Sequence, residues 1–253
     1  MKESYQDVNA KTIDRWVEND WEWGRPITHE QFLAANQGDW HIVLTPTKPV
    51  PREWFPALKG LKLLGLACGG AQQMPLFAAA GAICTVLDYS ERQLESERAF
   101  AEREGYEIEI VRADMSKPLP FADESFDIIV HPVSNCYIRE VEPLWRECFR
   151  ILKPGGILLA GLDNGINFIF DDEETTLKHS LPFDPLSDPM LYEELMQTDS
   201  GVQFSHSLEE QVGGQLKAGF ALTHLFEDVN GYGRLHEMNI PTFLATRAVK
   251  PKK

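Results

Sequence analysis

Five small residues, Ala67-Cys68-Gly69-Gly70-Ala71, stand directly after the apolar run Leu61–Leu66. A turn of that composition lets main-chain N–H groups come close to a ligand. Gly69 and Gly70 have no Cβ and can take positive φ, which suits a tight strand-to-helix turn beside a nucleotide-like molecule. Asp88 ends a second apolar run, Ile83–Leu87, 19 residues beyond Gly69 (88 − 69). That is the spacing of a carboxylate that accepts hydrogen bonds from ribose hydroxyls. No nucleophile–base triad, metal-ligand set or phosphate loop of the GxxxxGK[ST] type accompanies these residues.

Positioning the turn and the acid requires two consecutive βα units, and the rest of the chain continues in that style. Strand patterns fall at Leu61–Leu66, Ile83–Asp88, Glu107–Arg112, Ile128–His131 and Ile157–Leu162. The continuous apolar run of the fourth suits a sheet covered on both faces. Helices are expected over Gln72–Ala80, with Pro75 in the first turn, and over Glu91–Glu104, with Ser90 as N-cap and Gly105 as stop. A further helix, Glu142–Leu152, ends at Lys153-Pro154-Gly155-Gly156, a breaker followed by two flexible residues. Leu208–Ala218 reads as helix, and Ala221–Val229 and Thr242–Val249 as two last strands, antiparallel through Asn230–Gly233. Alternation of this kind predicts an α/β fold with one mostly parallel sheet.

Composition narrows the partners. The 253 residues, 43% of them hydrophobic, suffice for one large core. No apolar run reaches membrane-spanning length and the N-terminus lacks the pattern of a signal peptide, so cytoplasm is the default compartment and no membrane partner is expected. Cys68, Cys84, Cys136 and Cys148 have no CxxC spacing and read as reduced packing or turn residues, with no metal. A net charge of −15 opposes binding to nucleic acid, and residues 164–206 hold −8 of it, nine acids against one base. Those acids are a solvated surface or a guide for a cationic substrate. Residues 1–60 carry five of the six tryptophans and the extended run Thr45–Pro51, and they read as a helical cap packed over the sheet. Trp16, Trp21 and Trp23 alternate with Glu18, Asp20 and Glu22, either as core packing or as contacts to an acceptor molecule. The division expected is a cap at 1–60 and a main domain at 61–253 with an acidic insert at 164–206. Nothing in the sequence speaks to oligomeric state.

Five segments in order, Leu63–Ala71, Val86-Leu87-Asp88, Ala113-Asp114-Met115, Leu119-Pro120-Phe121 with Ser125-Phe126-Asp127, and Leu152–Gly156, make the chain resemble class I S-adenosylmethionine-dependent methyltransferases, of the type 11 small-molecule kind. The resemblance spans about residues 61–163, more loosely to 249, and implies a Rossmann-like doubly wound sheet of seven strands with the last antiparallel. It implies S-adenosylmethionine as cofactor, with the backbone at Ala67, Cys68 and Gly69 on its methionine end and ribose. Asp88 would take both ribose hydroxyls, beside Tyr89. Asp114 would accept from the adenine amine, or serve only as an N-cap before Ser116, and Met115 would flank the ring. His131 and Pro132 would border the methionine ammonium. The acid usual inside the first strand is Gly65 here, and two usual glycines are Ala67 and Ala71. A different carboxylate, Asp20 or Asp39, is then a candidate anchor for the ammonium.

A methylsulfonium needs orientation and exclusion of water more than activation. His131 is the candidate base, or contributes backbone only. Asn135, Tyr137, Asp163 and Asn167 follow strand ends and are candidate substrate contacts. Tyr5 and Trp16, on an amphipathic N-terminal helix, are candidate substrate contacts in a lid. The expected activity is methyl transfer to a small molecule. A nicotinamide-dependent oxidoreductase and a catalytically silent cofactor-binding protein are the alternatives.

Overall fold

The computed structural model describes residues 3–252. In chain order the elements are α1 (Tyr5–Glu18), α2 (His29–Asn36), β1 (Lys62–Leu66), α3 (Met74–Ala79), β2 (Ile83–Asp88), α4 (Glu91–Glu104), β3 (Ile108–Arg112), β4 (Phe126–His131), α5 (Glu142–Ile151), β5 (Leu152–Asp163), α6 (Pro189–Gln197), α7 (Gly214–Ala218), β6 (Ala221–Asp228), α8 (Arg234–Glu237) and β7 (Phe243–Val249). The strands form one sheet in the order β3-β2-β1-β4-β5-β7-β6. β7 lies antiparallel to both neighbours, and the first five strands pair in parallel. The order reverses direction between β1 and β4, and the crevice beyond their carboxyl ends is where ligands lodge in open α/β sheets.

Side chains alternate across the sheet and bury both of its faces. Leu63, Val86, Ile128 and Leu159 pack with Phe77 of α3 and with Trp40, Ile42, Leu44, Trp54 and Leu58. Leu64, Leu87, Ile129 and Leu158 pack with Leu144, Trp145, Cys148 and Ile151 of α5. Trp40 and Trp54 of the tryptophan-rich N-terminal segment are thus core, laid against one face of the sheet. Local signals set the helix ends: Ser90 Oγ accepts from Gln93 N at the start of α4, and Gly105 closes it with φ 75°.

Three expectations shift. The Lys153–Gly156 stop lies within β5 as an irregularity, where pairing to β4 jumps from Phe126↔Leu152 to Ile128↔Ile157. The helix foreseen over 208–218 opens as a π-helical turn, Glu209–Gly213, before α7. β6 and β7 are antiparallel, but a longer excursion containing α8 joins them where a short turn was expected.

Candidate active site

The turn after β1 is built by the strand beside it and the helix beneath it. Ala67 N donates to Leu87 O at 2.8 Å and Gly70 N to Gln93 O at 3.0 Å. Asp88 is bound into the same turn: its Oδ2 accepts from Gly69 N at 3.0 Å, and its Oδ1 from Tyr89 N at 2.8 Å and Ser90 N at 3.0 Å. Burial raises the Asp88 pKa, and these three N–H groups oppose that rise. Ala67 and Ala71 take φ values of 48° and 55°, a region that alanine rarely adopts. The turn keeps its glycine-like shape at the cost of strained backbone. A Cβ on Gly69 would lie 2.7 Å from Gln93 Cβ and 3.1 Å from Asp88 Oδ2. The glycine is therefore required by α4 and Asp88, beyond any ligand. Under the turn, Glu97 Oε1 accepts from Ala71 N at 2.7 Å, and burial pushes its pKa to about 8.

A cavity of about 750 Å³ opens at the carboxyl ends of the strands, and Ala67, Cys68, Gly69, Asp88, Tyr89, Asp114, Met115 and Pro132 all line it. Asp114 Oδ1 accepts from Ser116 N at 2.8 Å, the cap geometry, while the residue still reaches the cavity. Tyr89 presents its hydroxyl to Asp7 Oδ1 at 2.7 Å, tying α1 to the end of β2.

His131 and Asn135 are the corrections at the end of β4, for neither lines the cavity. His131 is fully buried; Nδ1 donates to Leu66 O at 2.9 Å and Nε2 lies 2.7 Å from the Asn135 carboxamide. Burial lowers its pKa. With both ring nitrogens hydrogen-bonded inside the protein and the ring outside the cavity wall, the imidazole cannot reach an acceptor's proton. Asn135 passes the chain on, Nδ2 donating to Gln211 Oε1 at 2.7 Å. Tyr5 is the third correction: its ring packs edge-on against Phe204 with centroids 5.2 Å apart, its hydroxyl accepts from Arg139 N, and it stays out of the cavity wall.

Tyr137, Asp163, Asn167 and Trp16 do line it. Tyr137 is held neutral, its pKa raised chiefly by burial. Asp163, at the end of β5, accepts from Gly165 N through Oδ1 at 3.0 Å, while its buried Oδ2 has no partner among the described residues. Desolvation pushes its pKa up to about 6. The insert supplies Phe168, Phe170, Phe183, Leu191 and Leu195 to this end of the cavity. α1 closes over both ends. Asn9 exchanges hydrogen bonds with the main chain of Val202 at 2.9 and 2.7 Å, Trp16 Nε1 donates to Asp199 O at 3.1 Å, and Asp14 takes the Ser90 hydroxyl at 2.6 Å.

Sequence reading missed Gln73, Gln93, Gln203 and the loop Val43–Pro46, which also line the cavity. Gln73 lies two residues beyond the small-residue turn, a position that could have marked it; the loop residues carry no such signal.

The turn fits S-adenosylmethionine on the structure's own terms. Its backbone is bare at Gly69, Asp88 stands beside it, and Gln73, in the wall of the same cavity, carries a buried oxygen without a partner among the described residues. Residues 64–160 match the family described as a methyltransferase domain. The uncharacterized methyltransferase YbaJ of Bacillus subtilis is 44% identical over 249 residues, covering 96% of this chain and 97% of its own. A ubiquinone biosynthesis O-methyltransferase of Sinorhizobium fredii is 30% identical over 119 residues, 47% of this chain and 45% of the relative. An S-adenosylmethionine-dependent methyltransferase from Mesorhizobium loti shares the fold, with a TM-score of 0.63 at 22% identity over 78% of this chain and 94% of that one. These relatives set aside the nicotinamide and silent readings, and the chain belongs to the class I S-adenosylmethionine-dependent methyltransferases.

Proposed function

We propose that the acceptor is a small molecule with an apolar body that presents an N–H or O–H group to Asp163. The observation that carries this reading is the free Oδ2 of Asp163, buried in the wall of a cavity whose outer end is aromatic and aliphatic. An unpaired buried carboxylate oxygen is costly until a donor arrives. The bound cofactor supplies a methyl group on a cationic sulfur, an electrophile that needs no further activation. Asp163 orients the attacking atom and takes its proton, and its pKa of about 6 leaves it ionised at neutral pH. Trp16 and the insert's Phe168 and Phe183 keep water from the path. In the same reading Asp88 and the turn hold the ribose and methionine end, and Asp114 and Met115 the adenine. Residues 1–60 act as the cap, and 164–206 as the insert that selects the acceptor.

Charge supports a small acceptor over a nucleic acid, since −15 repels phosphate. Of the insert's charged groups on the wall, Glu194 is paired with Lys178 at 2.7 Å, which moderates the acidity there. The named relative that acts in ubiquinone biosynthesis is consistent with an apolar-bodied acceptor. The test is release of S-adenosylhomocysteine across a panel of amines, phenols, thiols and bulk tRNA. Turnover with a small amine or phenol is expected, lost in Asp163→Asn; robust, salt-sensitive labelling of tRNA contradicts it.

A further inference from the structure

We infer that Gln73 holds the ammonium group of the cofactor through its side-chain oxygen, taking the task left open by the missing acid at Gly65. The inference rests on the reading that the Ala67–Ala71 turn takes the methionine end of the cofactor.

The strand position has no room for an acid. A Cβ on Gly65 would fall on Met74 Sδ and within 3.2 Å of Cys68 Cβ, and Met74 is fully buried at the start of α3. Nor do the acids considered from the sequence reach the site. Asp20 is exposed and paired with Arg25 at 2.8 Å, and Asp39 is exposed; neither lines the cavity. Gln73 does line it, at the boundary between the turn and α3 and only 6% exposed. Its Nε2 donates to Val43 O at 2.7 Å. A carbonyl oxygen only accepts, so this bond fixes which end of the amide is oxygen. That oxygen, Oε1, is buried without a partner among the described residues.

The amide is held by the N-terminal segment rather than by its own helix. Val43 pairs with Pro49, Val133 N donates to Leu44 O at 3.2 Å, and Leu44 O occupies the space that any Cβ on Gly161 would need. The loop therefore stands in one place, and with it Gln73. An acceptor oxygen with no internal donor matches an ammonium and not the carboxylate at the same end of the cofactor. A hydrogen bond from a charged donor to such an oxygen is among the stronger kinds.

The test is calorimetric titration of the full-length protein with S-adenosylhomocysteine and with 5′-methylthioadenosine, which keeps the adenosine and sulfur but lacks the amino-acid group. In Gln73→Leu, affinity for S-adenosylhomocysteine should fall about tenfold or more while that for 5′-methylthioadenosine stays within about twofold. Gln73→Glu, which keeps an acceptor oxygen, should retain the preference for S-adenosylhomocysteine. An unchanged dissociation constant in Gln73→Leu, parallel weakening of both ligands, or a Gln73→Glu protein that loses the preference as fully as Gln73→Leu would overturn the assignment. Equal affinity of the unsubstituted protein for the two ligands would instead contradict the underlying reading, by showing that the turn does not hold the methionine end.

Discussion

The two ends of the cavity are made differently. Around Asp88 the contacts are main-chain: three backbone N–H groups fix the carboxylate, and a turn with positive φ at Ala67, Gly70 and Ala71 presents backbone to the ligand. Around Asp163 they are side chains, drawn from β5, the insert and α1, with one carboxylate oxygen left free. A wall of backbone tolerates many sequences but few shapes. A wall of side chains does the reverse, so the first end can be shared among enzymes of one fold while the second is free to vary among them.

The largest effect should come from the shape of the first end. Gly69→Val is expected to remove measurable cofactor binding in calorimetry and to lower stability by about 1–3 kcal/mol, because the added Cβ meets α4 at Gln93. A Gly69→Val protein that binds normally breaks the comparison on its backbone side.

Next is Asp163→Asn, which should cut kcat/KM by about a hundred- to ten-thousandfold in the acceptor panel, the range of a lost proton acceptor. Unaltered turnover would show that the side-chain end does not handle the acceptor's proton.

The same substitution has a pH signature in the free protein. The folded pKa of Asp163, about 6, lies above the ordinary carboxylate value of 3.8, so folding disfavours its charged form. The stability it contributes is complete below about pH 4 and is lost as pH rises through about 6, a change of about 2–3 kcal/mol. Subtracting the stability curve of Asp163→Asn from that of the unsubstituted protein, by urea titration at pH 4 to 8, should show that fall. A flat difference would place the carboxyl in water.

The smallest expected effect concerns strain. Ala67→Gly should raise stability by about 0.5–1 kcal/mol, since φ of 48° costs an alanine more than a glycine. Ala71→Gly should gain less, because the Ala71 methyl packs in the cluster of Phe32 and Phe100. Thermal unfolding of the two variants orders them.

The contrast also explains what the sequence disclosed. The strands of the sheet and the Asp88 turn were readable because they depend on local patterns: apolar runs, a small-residue turn and an acid at fixed spacing. The reading of His131 as a base failed because a strand-end position does not say which way a ring points, and here it points to Leu66 O and Asn135. Gln73 was missed because its role depends on Val43, thirty residues away in sequence, whose carbonyl orients the amide. The positive φ at Ala67 was missed because composition favours negative φ, and tertiary packing prevails over that preference.

The division between the two ends is tested most directly by titrating S-adenosylhomocysteine into Asp88→Ala and Asp163→Asn side by side, each shown to be folded. The account predicts a loss of about ten- to hundredfold in affinity for Asp88→Ala, the scale of hydrogen bonds to a charged group, and a change within about twofold for Asp163→Asn. An unchanged dissociation constant in Asp88→Ala, or an equal loss in both proteins, would contradict it.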